Sequence, residues 1–326
     1  MNLHNFVELC MCPAPLGNEH TAKQLIRSML PNGLEISEDV AGSAIVRKPG
    51  EKPGLTFFAS LSQPVVLVTG KKSDGAWELQ PLGTGKTLEP MNGWKVMDSG
   101  GAQAKLGVKD GALRLTEDRG VQIGSLLTRQ PDWTQDVLSV SCAGIEDRVG
   151  CWLLTELLRE MPDVKAEITC IFLAQEQHCT KVAELAMNET DAAVAIRLAS
   201  AKVNDINLTG APVNAGGGPV LKLRERYVST DGRLMDLERM ACREAGVPFQ
   251  YEVLELDVTG LCTAQYGHCG VVVGGIDVPA EEGRILLTDL RNTRALVMQL
   301  AANADQQALC SLPAVQHLAQ TTKEER

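Results

Sequence analysis

The order of short apolar segments is the feature that most constrains this chain. Strand-like and helix-like segments alternate in the first 66 residues and again after residue 134, which is the arrangement of an α/β domain. Between them, residues 67–132 contain eleven glycines that separate short runs of alternating polarity. Such spacing predicts a small β-rich unit. We therefore predict an α/β domain that is interrupted by a β-rich insert.

Periodicity and turn residues locate the individual elements of the α/β domain. The first predicted helix begins near Asn18, after a turn that contains two prolines. The predicted strands are residues 42–47, 55–60, 166–174, 192–198 and 270–278. The other predicted helices are residues 149–158, 180–187, 231–245 and 289–302.

Length and composition limit the classes of protein to consider. At 326 residues the chain exceeds the roughly 250–300 residues of a single hydrophobic core, so two structural units are expected. An apolar content of 44% excludes a disordered chain. The net charge of −10 argues against binding to nucleic acid or to an anionic membrane surface.

Targeting signals and cysteine usage indicate the compartment. No apolar run approaches the roughly 20 residues of a membrane span, and no secretory signal is visible, so we expect a cytoplasmic protein. The ten cysteines extend from Cys10 to Cys310, mostly in apolar segments, which predicts reduced and buried thiols. Cys10 and Cys12 lack the second cysteine pair that a zinc finger requires.

Two short motifs carry a specific resemblance. Residues 146–150 read Glu-Asp-Arg-Val-Gly at the start of a predicted helix, and residues 175–177 read Gln-Glu-Gln after a predicted strand. They resemble the Asp-Asp-Arg-x-Gly and Gln-Glu-Glu motifs of the dinuclear-zinc aminopeptidases of the tetrahedral type, which are also labelled glutamyl aminopeptidase or endoglucanase. Four further segments resemble family motifs and occur in the same order along the chain as in the family: residues 10–19, 39–43, 217–219 and 246–250.

The resemblance covers nearly the whole chain and implies its architecture. It implies a three-layer αβα domain from residues 1–66 and 134–326, with an inserted small β-barrel domain at residues 67–133. In the family this insert mediates dimer contacts and shapes the route of the substrate. The resemblance therefore also implies a homo-oligomer that is formed through the inserted domain.

The metal site of the family is altered in this sequence. The resemblance implies that Glu176 occupies the position of the catalytic general base, and that Ser62 and Asp147 occupy supporting positions. The five positions that bind metal in the family are occupied by Ser60, Glu146, Gln177, Arg197 and Arg284.

These replacements are unfavourable for zinc. Zinc prefers anionic or imidazole ligands, whereas a serine hydroxyl and a neutral amide are poor substitutes. A guanidinium cannot lose its proton in a protein and repels a dication. We therefore predict no metal and hypothesise that Arg197 and Arg284 pair with Glu146 and Glu176 in a salt-bridge cluster. If the alignment is shifted locally, ligands could be supplied by Asp191, Asp205, Glu281 or His268.

Three functions follow from this interpretation. The first is a non-catalytic binding or assembly subunit with the aminopeptidase fold, in homo-oligomers or beside an active paralogue. The second is a metal-dependent aminopeptidase with a rearranged site, in which zinc or cobalt binds and Glu146 and Glu176 still act. The third is a metal-free hydrolase, or a metal-free protein that binds a small carboxylate or a peptide, in which Arg197 and Arg284 clamp a carboxylate and Glu176 acts as base.

Overall fold

A computed structural model provides the three-dimensional structure. It describes residues 2–83, 89–161, 163–177, 179, 181–190, 192–205, 210–255 and 271–304. Across these residues, no helix combines the length and the apolar composition that crossing a membrane requires. The α-helices are α1 (His4–Met11), α2 (His20–Met29), α3 (Val149–Arg159), α4 (Val182–Asn188), α5 (Gly232–Ala245) and α6 (Leu287–Ala302).

The described strands form three sheets. In chain order they are β1 (Glu35–Glu38), β2 (Ala44–Lys48), β3 (Glu51–Ser60), β4 (Val65–Lys71), β5 (Trp77–Leu82), β6 (Lys95–Met97), β7 (Gln103–Lys109), β8 (Ala112–Arg119), β9 (Leu126–Arg129), β10 (Thr134–Gln135), β11 (Ser139–Ser141), β12 (Ala166–Leu173), β13 (Ala192–Lys202), β14 (Val220–Glu225), β15 (Val228–Ser229), β16 (Gln250–Leu254), β17 (Val272–Ala280) and β18 (Arg284–Leu286).

The largest sheet has nine strands in the order β1-β2-β12-β3-β13-β17-β14-β15, with β16 also paired to β14. Its centre is parallel, because β12, β3, β13 and β17 run in one direction. Parallel strands need both faces covered, and the central strands are accordingly apolar on both sides. The predicted strands and helices of the α/β domain are thus confirmed, with ends shifted by a few residues.

Helices pack on both faces of this sheet and form the predicted three layers. Side chains on successive strand residues point to opposite faces. On β3, Phe57 joins the large core cluster beneath α1, α2, α3, α5 and α6. Its neighbour Phe58 joins a smaller cluster that includes Ala186 and Met187 of α4. The larger cluster therefore supplies most of the apolar burial of the α/β domain.

The β-rich insert has its own sheet and its own core. Strands β4 to β9 form a six-stranded antiparallel sheet in the order β5-β4-β9-β6-β7-β8, and the end strands β5 and β8 approach each other as in a nearly closed barrel. Its core is separate from the other clusters and includes Val68, Val96, Leu106 and Leu127. The predicted barrel-like fold is confirmed, while the exact boundaries of 67–133 stay a prediction.

A third, small sheet connects the segment that follows the insert with the segment that precedes α6. Strands β10, β11 and β18 pair in that order, so residues 134–141 contact the segment that precedes α6. This sheet directs the chain from the insert into the turn that carries Glu146 and Asp147. It therefore sets the position of one wall of the candidate site.

Candidate active site

Chain turns at the carboxyl ends of the central parallel strands bring most of the predicted residues together. Such ends are the usual location of ligand sites in open α/β sheets. Ser60 is the last residue of β3, and Arg197 lies on the adjacent strand β13. Residues 174–177 directly follow β12, and the short helical turn Ile145–Asp147 precedes α3.

Hydrogen bonds to the main chain hold the turn that carries Glu176. The Glu19 carboxylate accepts a hydrogen bond from the backbone N–H of Gln175 at 3.0 Å. The Ser43 hydroxyl accepts from Ala174 N at 3.2 Å, and the Gln175 amide donates to Ala41 O at 3.0 Å. These bonds stabilise Gln175 in the left-handed region, with φ of +57°. They give a structural role to the segments at 10–19 and 39–43.

Arg148 is a structural residue that the sequence interpretation did not identify. Its side chain is buried at 1% exposure. Its guanidinium donates to Leu61 O at 2.6 Å and to Cys12 O at 3.0 Å. One cation therefore connects the start of α3 to two distant loops. The signal in the sequence was an arginine directly before the apolar first turn of a predicted helix, a position where its charge needs hydrogen-bond acceptors.

Arg197 and Glu176 form a buried ion pair, as predicted. Arg197 Nε lies 3.5 Å from Glu176 Oε1, and the two side chains are only 7% and 4% exposed. Burial opposes the charged guanidinium, but the carboxylates of Glu176, Asp277 and Glu225 together raise the pKa of Arg197. Glu176 therefore serves as a counter-ion to a permanent cation.

A second buried cation lies beside this pair. Lys222 Nζ is 2.9 Å from Asp277 Oδ2 and 3.5 Å from Glu225 Oε2, and it also pairs with Glu252. Burial works against its charge, yet these carboxylates raise the pKa of Lys222. A lysine and a glutamate three residues apart within an apolar strand were the sequence signal for this cluster, and it was missed.

The predicted pairing of Arg284 with Glu146 or Glu176 is wrong. Arg284 Nη1 lies 2.9 Å from Glu281 Oε2, and Arg284 Nε donates to the hydroxyl of Ser139 at 3.1 Å. The cause is the pairing of β18 with β11, which places Arg284 next to the 139–141 strand. Of the predicted cluster of four charges, only the ion pair between Arg197 and Glu176 is therefore present.

The other predicted residues form a hydrogen-bonded group near the Arg197–Glu176 ion pair. The backbone N–H of Gln177 lies 3.5 Å from Ser62 Oγ, and the Gln177 amide nitrogen lies 3.5 Å from Asp147 Oδ1. Burial and the adjacent Glu146 carboxylate raise the pKa of Asp147 to about 7. Burial also raises the pKa of Glu146, although the backbone N–H of Gly283 donates to its carboxylate.

The donor set at this edge does not fit a dinuclear zinc centre. Ser60 offers a buried hydroxyl that lacks a hydrogen-bond partner in the described part of the chain. Gln177 offers a neutral amide, and Arg197 places a cation against Glu176, the residue at the general-base position that the resemblance implies. Within the described ranges, no three His, Cys, Asp or Glu side chains are placed to hold a metal ion.

Two of the four alternative ligands that a shifted alignment suggests, Asp205 and Glu281, lie among the described residues. Asp191 and His268 lie outside the described residues. Glu281 lies at the wall of the cleft, where it pairs with Arg284. Asp205 lies beyond the end of β13 and belongs to no three-residue metal cluster of described side chains.

A cleft of about 360 Å³ opens beside these residues, between the α/β domain and the insert. The insert contributes Trp94 and Arg129, whose guanidinium lies 4.4 Å from the centre of the Trp94 ring. The α/β domain contributes Glu146, Lys202 and Glu282. Arg129 Nη1 lies 3.9 Å from Glu282 Oε1, so a weak ion pair spans the two units.

Comparison with known proteins identifies the family and supports the fold of this chain. The sequence pattern of the M42 glutamyl aminopeptidase family matches residues 112–286, which is more than half of the chain. The chain belongs to the M42 family. The match includes the turn with Glu146, the Glu176 motif, Arg197 and Arg284, whereas Ser60 lies before the matched segment of this M42 protein.

Individual relatives are distant in sequence and similar in fold. An Acetivibrio thermocellus protein with a provisional aminopeptidase name is 23% identical over 288 residues, covering 81% of this chain and 86% of that protein. The TET aminopeptidase of a marine sediment thaumarchaeon superposes with a TM-score of 0.86 at 17% identity, covering 95% and 99% of the two chains. The TET1 peptidase of Pyrococcus horikoshii gives 0.78 at 18% identity, covering 92% and 98%. At these identities, the two structural matches show that this M42 chain shares their fold.

Proposed function

We propose that this chain is a non-catalytic member of the M42 family that acts as a binding or assembly subunit. The observation that carries the proposal is the buried ion pair between Arg197 and Glu176. It places a fixed cation where the resemblance expects a carboxylate ligand. It also engages the carboxylate that is expected to act as general base.

Electrostatics explains why this pair opposes metal-dependent hydrolysis. Two unit charges about 4 Å apart interact by roughly 4 kcal/mol at an effective dielectric constant near 20, so a dication beside Arg197 would meet about twice that repulsion. A general base must also be free to accept a proton from the attacking water. Glu176 is held instead by Arg197 at 3.5 Å.

Enzyme assays test this proposal directly. The purified protein is incubated with leucyl and glutamyl anilides, with and without added zinc or cobalt, beside an active M42 enzyme as positive control. We expect no turnover above that of the Glu176→Gln variant, and no stoichiometric zinc by elemental analysis. Chelator-sensitive turnover that zinc or cobalt restores and Glu176→Gln abolishes would instead support a rearranged aminopeptidase.

The cleft favours a second candidate function, the binding of a small carboxylate or peptide without metal. Arg197 and Arg284 are each engaged by a glutamate, so they do not form the expected clamp. Among the described residues that line the cleft, the cations are Lys202 and Arg129, and Arg129 also forms the weak ion pair with Glu282. They could receive a carboxylate while the apolar part of the cleft covers its side chain.

Ligand binding can be measured by thermal shift in the presence of acidic amino acids or short peptides and a chelator. Because the pKa of Asp147 is about 7, the cleft loses negative charge below that pH. We therefore expect the shift to grow as the pH falls from 8 to 6 and to shrink in Lys202→Ala. A shift that requires zinc would contradict this second candidate.

Assembly is the other part of the proposal. The Pyrococcus horikoshii TET1 peptidase can assemble into a tetrahedron or a large octahedral shell. We propose that this chain also forms homo-oligomers through its inserted domain, alone or with an active paralogue in the cytoplasm. Native mass spectrometry of the purified chain gives the assembly size, and a monomer at micromolar concentration would contradict the proposal.

A further inference from the structure

The outer face of the insert carries an open hollow that is separate from the cleft. Its volume is about 500 Å³, and its polar lining includes Lys95, Gln103, Lys105, Glu117, Arg119 and Gln130. Val96 of β6 and Leu106 of β7 belong to the core of the insert. Because successive strand residues face opposite sides, their neighbours Lys95 and Lys105 face outward. The register of the apolar core therefore places these cations on one outer face.

Strand pairing brings two of the cations directly together. Lys95 and Lys105 are opposite each other in the antiparallel register of β6 and β7. Like charges in such positions destabilise a sheet. Glu117 lies opposite Lys105 on its other side. Among the described residues, however, no ion pair or hydrogen bond involves the charged groups of Lys95, Lys105 or Arg119. The sheet thus keeps a pair of cations that an added anion would stabilise.

The rest of the hollow also suits an anion. Gln103 and Gln130 line it, and their side-chain amides can donate hydrogen bonds. Asp118 lines it as well, but its carboxylate accepts a hydrogen bond from the indole N–H of Trp77 at 3.2 Å. The chain as a whole carries a net charge of −10 and repels anions at long range, so an anionic partner must be held by local contacts.

We propose that this hollow binds an extended acidic peptide segment of a partner protein, with carboxylates on alternate residues. Lys105 pairs with Glu117, so Arg119 is diagonal to Lys105 on the neighbouring strand. Diagonal positions of this kind are about 7–8 Å apart. Alternate residues of an extended peptide are separated by two steps of about 3.4 Å, which is similar. One carboxylate can therefore contact the Lys95–Lys105 pair while the next contacts Arg119.

The hollow and the cleft share none of their described lining residues. The inference therefore goes beyond the proposed function and does not depend on it.

Fluorescence anisotropy tests the proposal on the full-length protein in the presence of a chelator. The probe is a short labelled peptide of alternating glutamate and serine, and the matched control peptide has glutamine in place of glutamate. We expect saturable binding of the acidic peptide that weakens between about 20 mM and about 300 mM salt, because salt screens exposed charges. Equal binding of the neutral peptide, or no binding of the acidic one, would overturn the proposal.

Variants assign the binding to this hollow. Lys95→Gln/Lys105→Gln should raise the Kd of the acidic peptide by roughly tenfold, since it removes two charge contacts. The control Lys109→Gln/Arg114→Gln removes two exposed cations of β7 and β8 that do not line the hollow, and it should leave the Kd unchanged. Equal effects of the two double variants would show that net charge, rather than this site, holds the peptide. The comparison of acidic and neutral peptides on the wild type decides the question even if a variant fails to fold.

Two further measurements separate the acidic peptide from other occupants. Unlabelled acidic peptide should displace the probe at a lower charge concentration than inorganic polyphosphate or single-stranded DNA does. Displacement by either polymer at an equal or lower concentration would overturn the choice of a peptide. Native mass spectrometry should give the same assembly size for Lys95→Gln/Lys105→Gln and the wild type. A smaller assembly of the variant would instead make the hollow a contact between copies of this chain.

Discussion

Buried charge is the distinctive feature of this protein at the scale of single residues. Arg197 and Lys222 are buried cations, and carboxylates surround both. An isolated buried ion loses several kcal/mol of hydration, which only close counter-ions offset. Arg197 is therefore held by its partners, and replacing it alone should be far more costly than replacing an exposed arginine.

A comparison of two arginines tests this conclusion. Arg197→Leu leaves Glu176 buried without its counter-ion and should lower the free energy of unfolding by about 3–5 kcal/mol. Arg284→Leu removes a half-exposed pair and should cost less than about 1 kcal/mol. Urea denaturation at pH 7.5 measures both. The double variant Arg197→Leu/Glu176→Leu should recover most of the lost stability. Equal and small losses in the two single variants would show that buried Glu176 does not need Arg197 as its counter-ion.

Glu238 gives a prediction for the dependence of stability on pH. It is fully buried in α5, neither of its oxygens has a hydrogen-bond partner in the described part of the chain, and burial raises its pKa from 4.5 to about 8. Below pH 4.5 the residue is protonated in both states. As the pH rises to about 8, only the unfolded state releases the proton, so stability falls by on the order of 4 kcal/mol.

The matching experiment compares Glu238→Gln with the wild type between pH 5 and 9. The variant stays neutral, so its unfolding free energy should fall less than that of the wild type over this range. Asp236→Asn removes an exposed carboxylate on the same helix and should leave the pH profile unchanged. Parallel profiles for Glu238→Gln and the wild type would refute a raised pKa at this position.

A single residue was predictable where it belongs to a short sequence motif. The resemblance located Ser60, Glu176 and Arg197, because each belongs to a short motif at the end of a strand or within one. Arg284 was assigned to the wrong partners: its ion-pair partner Glu281 is only three residues away, and its hydrogen bond to Ser139 depends on the pairing of β18 with β11. Pairing between strands distant in sequence is not encoded in a local motif.

At the scale of elements, the close contact between α3 and β13 sets the position of the site. A Cβ atom on Gly150 would lie 2.3 Å from Leu198 O, a backbone atom that cannot move aside. Helix α3 follows the turn with Glu146 and Asp147, so its distance from the sheet also places these carboxylates. The glycine of the Glu-Asp-Arg-Val-Gly motif is thus explained by packing.

Gly150→Ala should therefore destabilise the protein by about 1–3 kcal/mol, through displacement of α3 from the sheet. The control is Gly232→Ala in α5, where an added Cβ has no neighbour within 4 Å. Because alanine favours a helix more than glycine does, this control should be neutral or slightly stabilising. Thermal unfolding of both variants measures the difference, and equal effects would show that the contact tolerates a methyl group.

Element types were predictable because apolar periodicity is local. That periodicity does not specify the parallel order β12-β3-β13-β17 or the position of the small sheet β10-β11-β18. The resemblance, rather than the pattern of residues, supplied the three layers and the barrel. The Lys222 cluster was missed because its members come from three strands, β14, β16 and β17, that are brought together only by folding.

At the scale of the whole molecule, the insert can be tested for its role in assembly. It has a separate core, so residues 70–130 can be replaced by a short glycine linker while most of the α/β core remains. If the insert forms the oligomer contact, the shortened chain should be a monomer by native mass spectrometry. Circular dichroism checks that it stays folded, and a folded oligomer of unchanged stoichiometry would refute this role.

The side chains that bind the main chain around the candidate site have a wider consequence. Glu19, Ser43 and Arg148 all bind main-chain atoms, so they fix the path of the backbone whatever side chains project into the cleft. Such a framework lets substitutions at the cleft accumulate without a cost to the shape of the molecule. The same property makes this protein a promising host for engineering, since new donor atoms introduced at the strand ends would find their geometry already set.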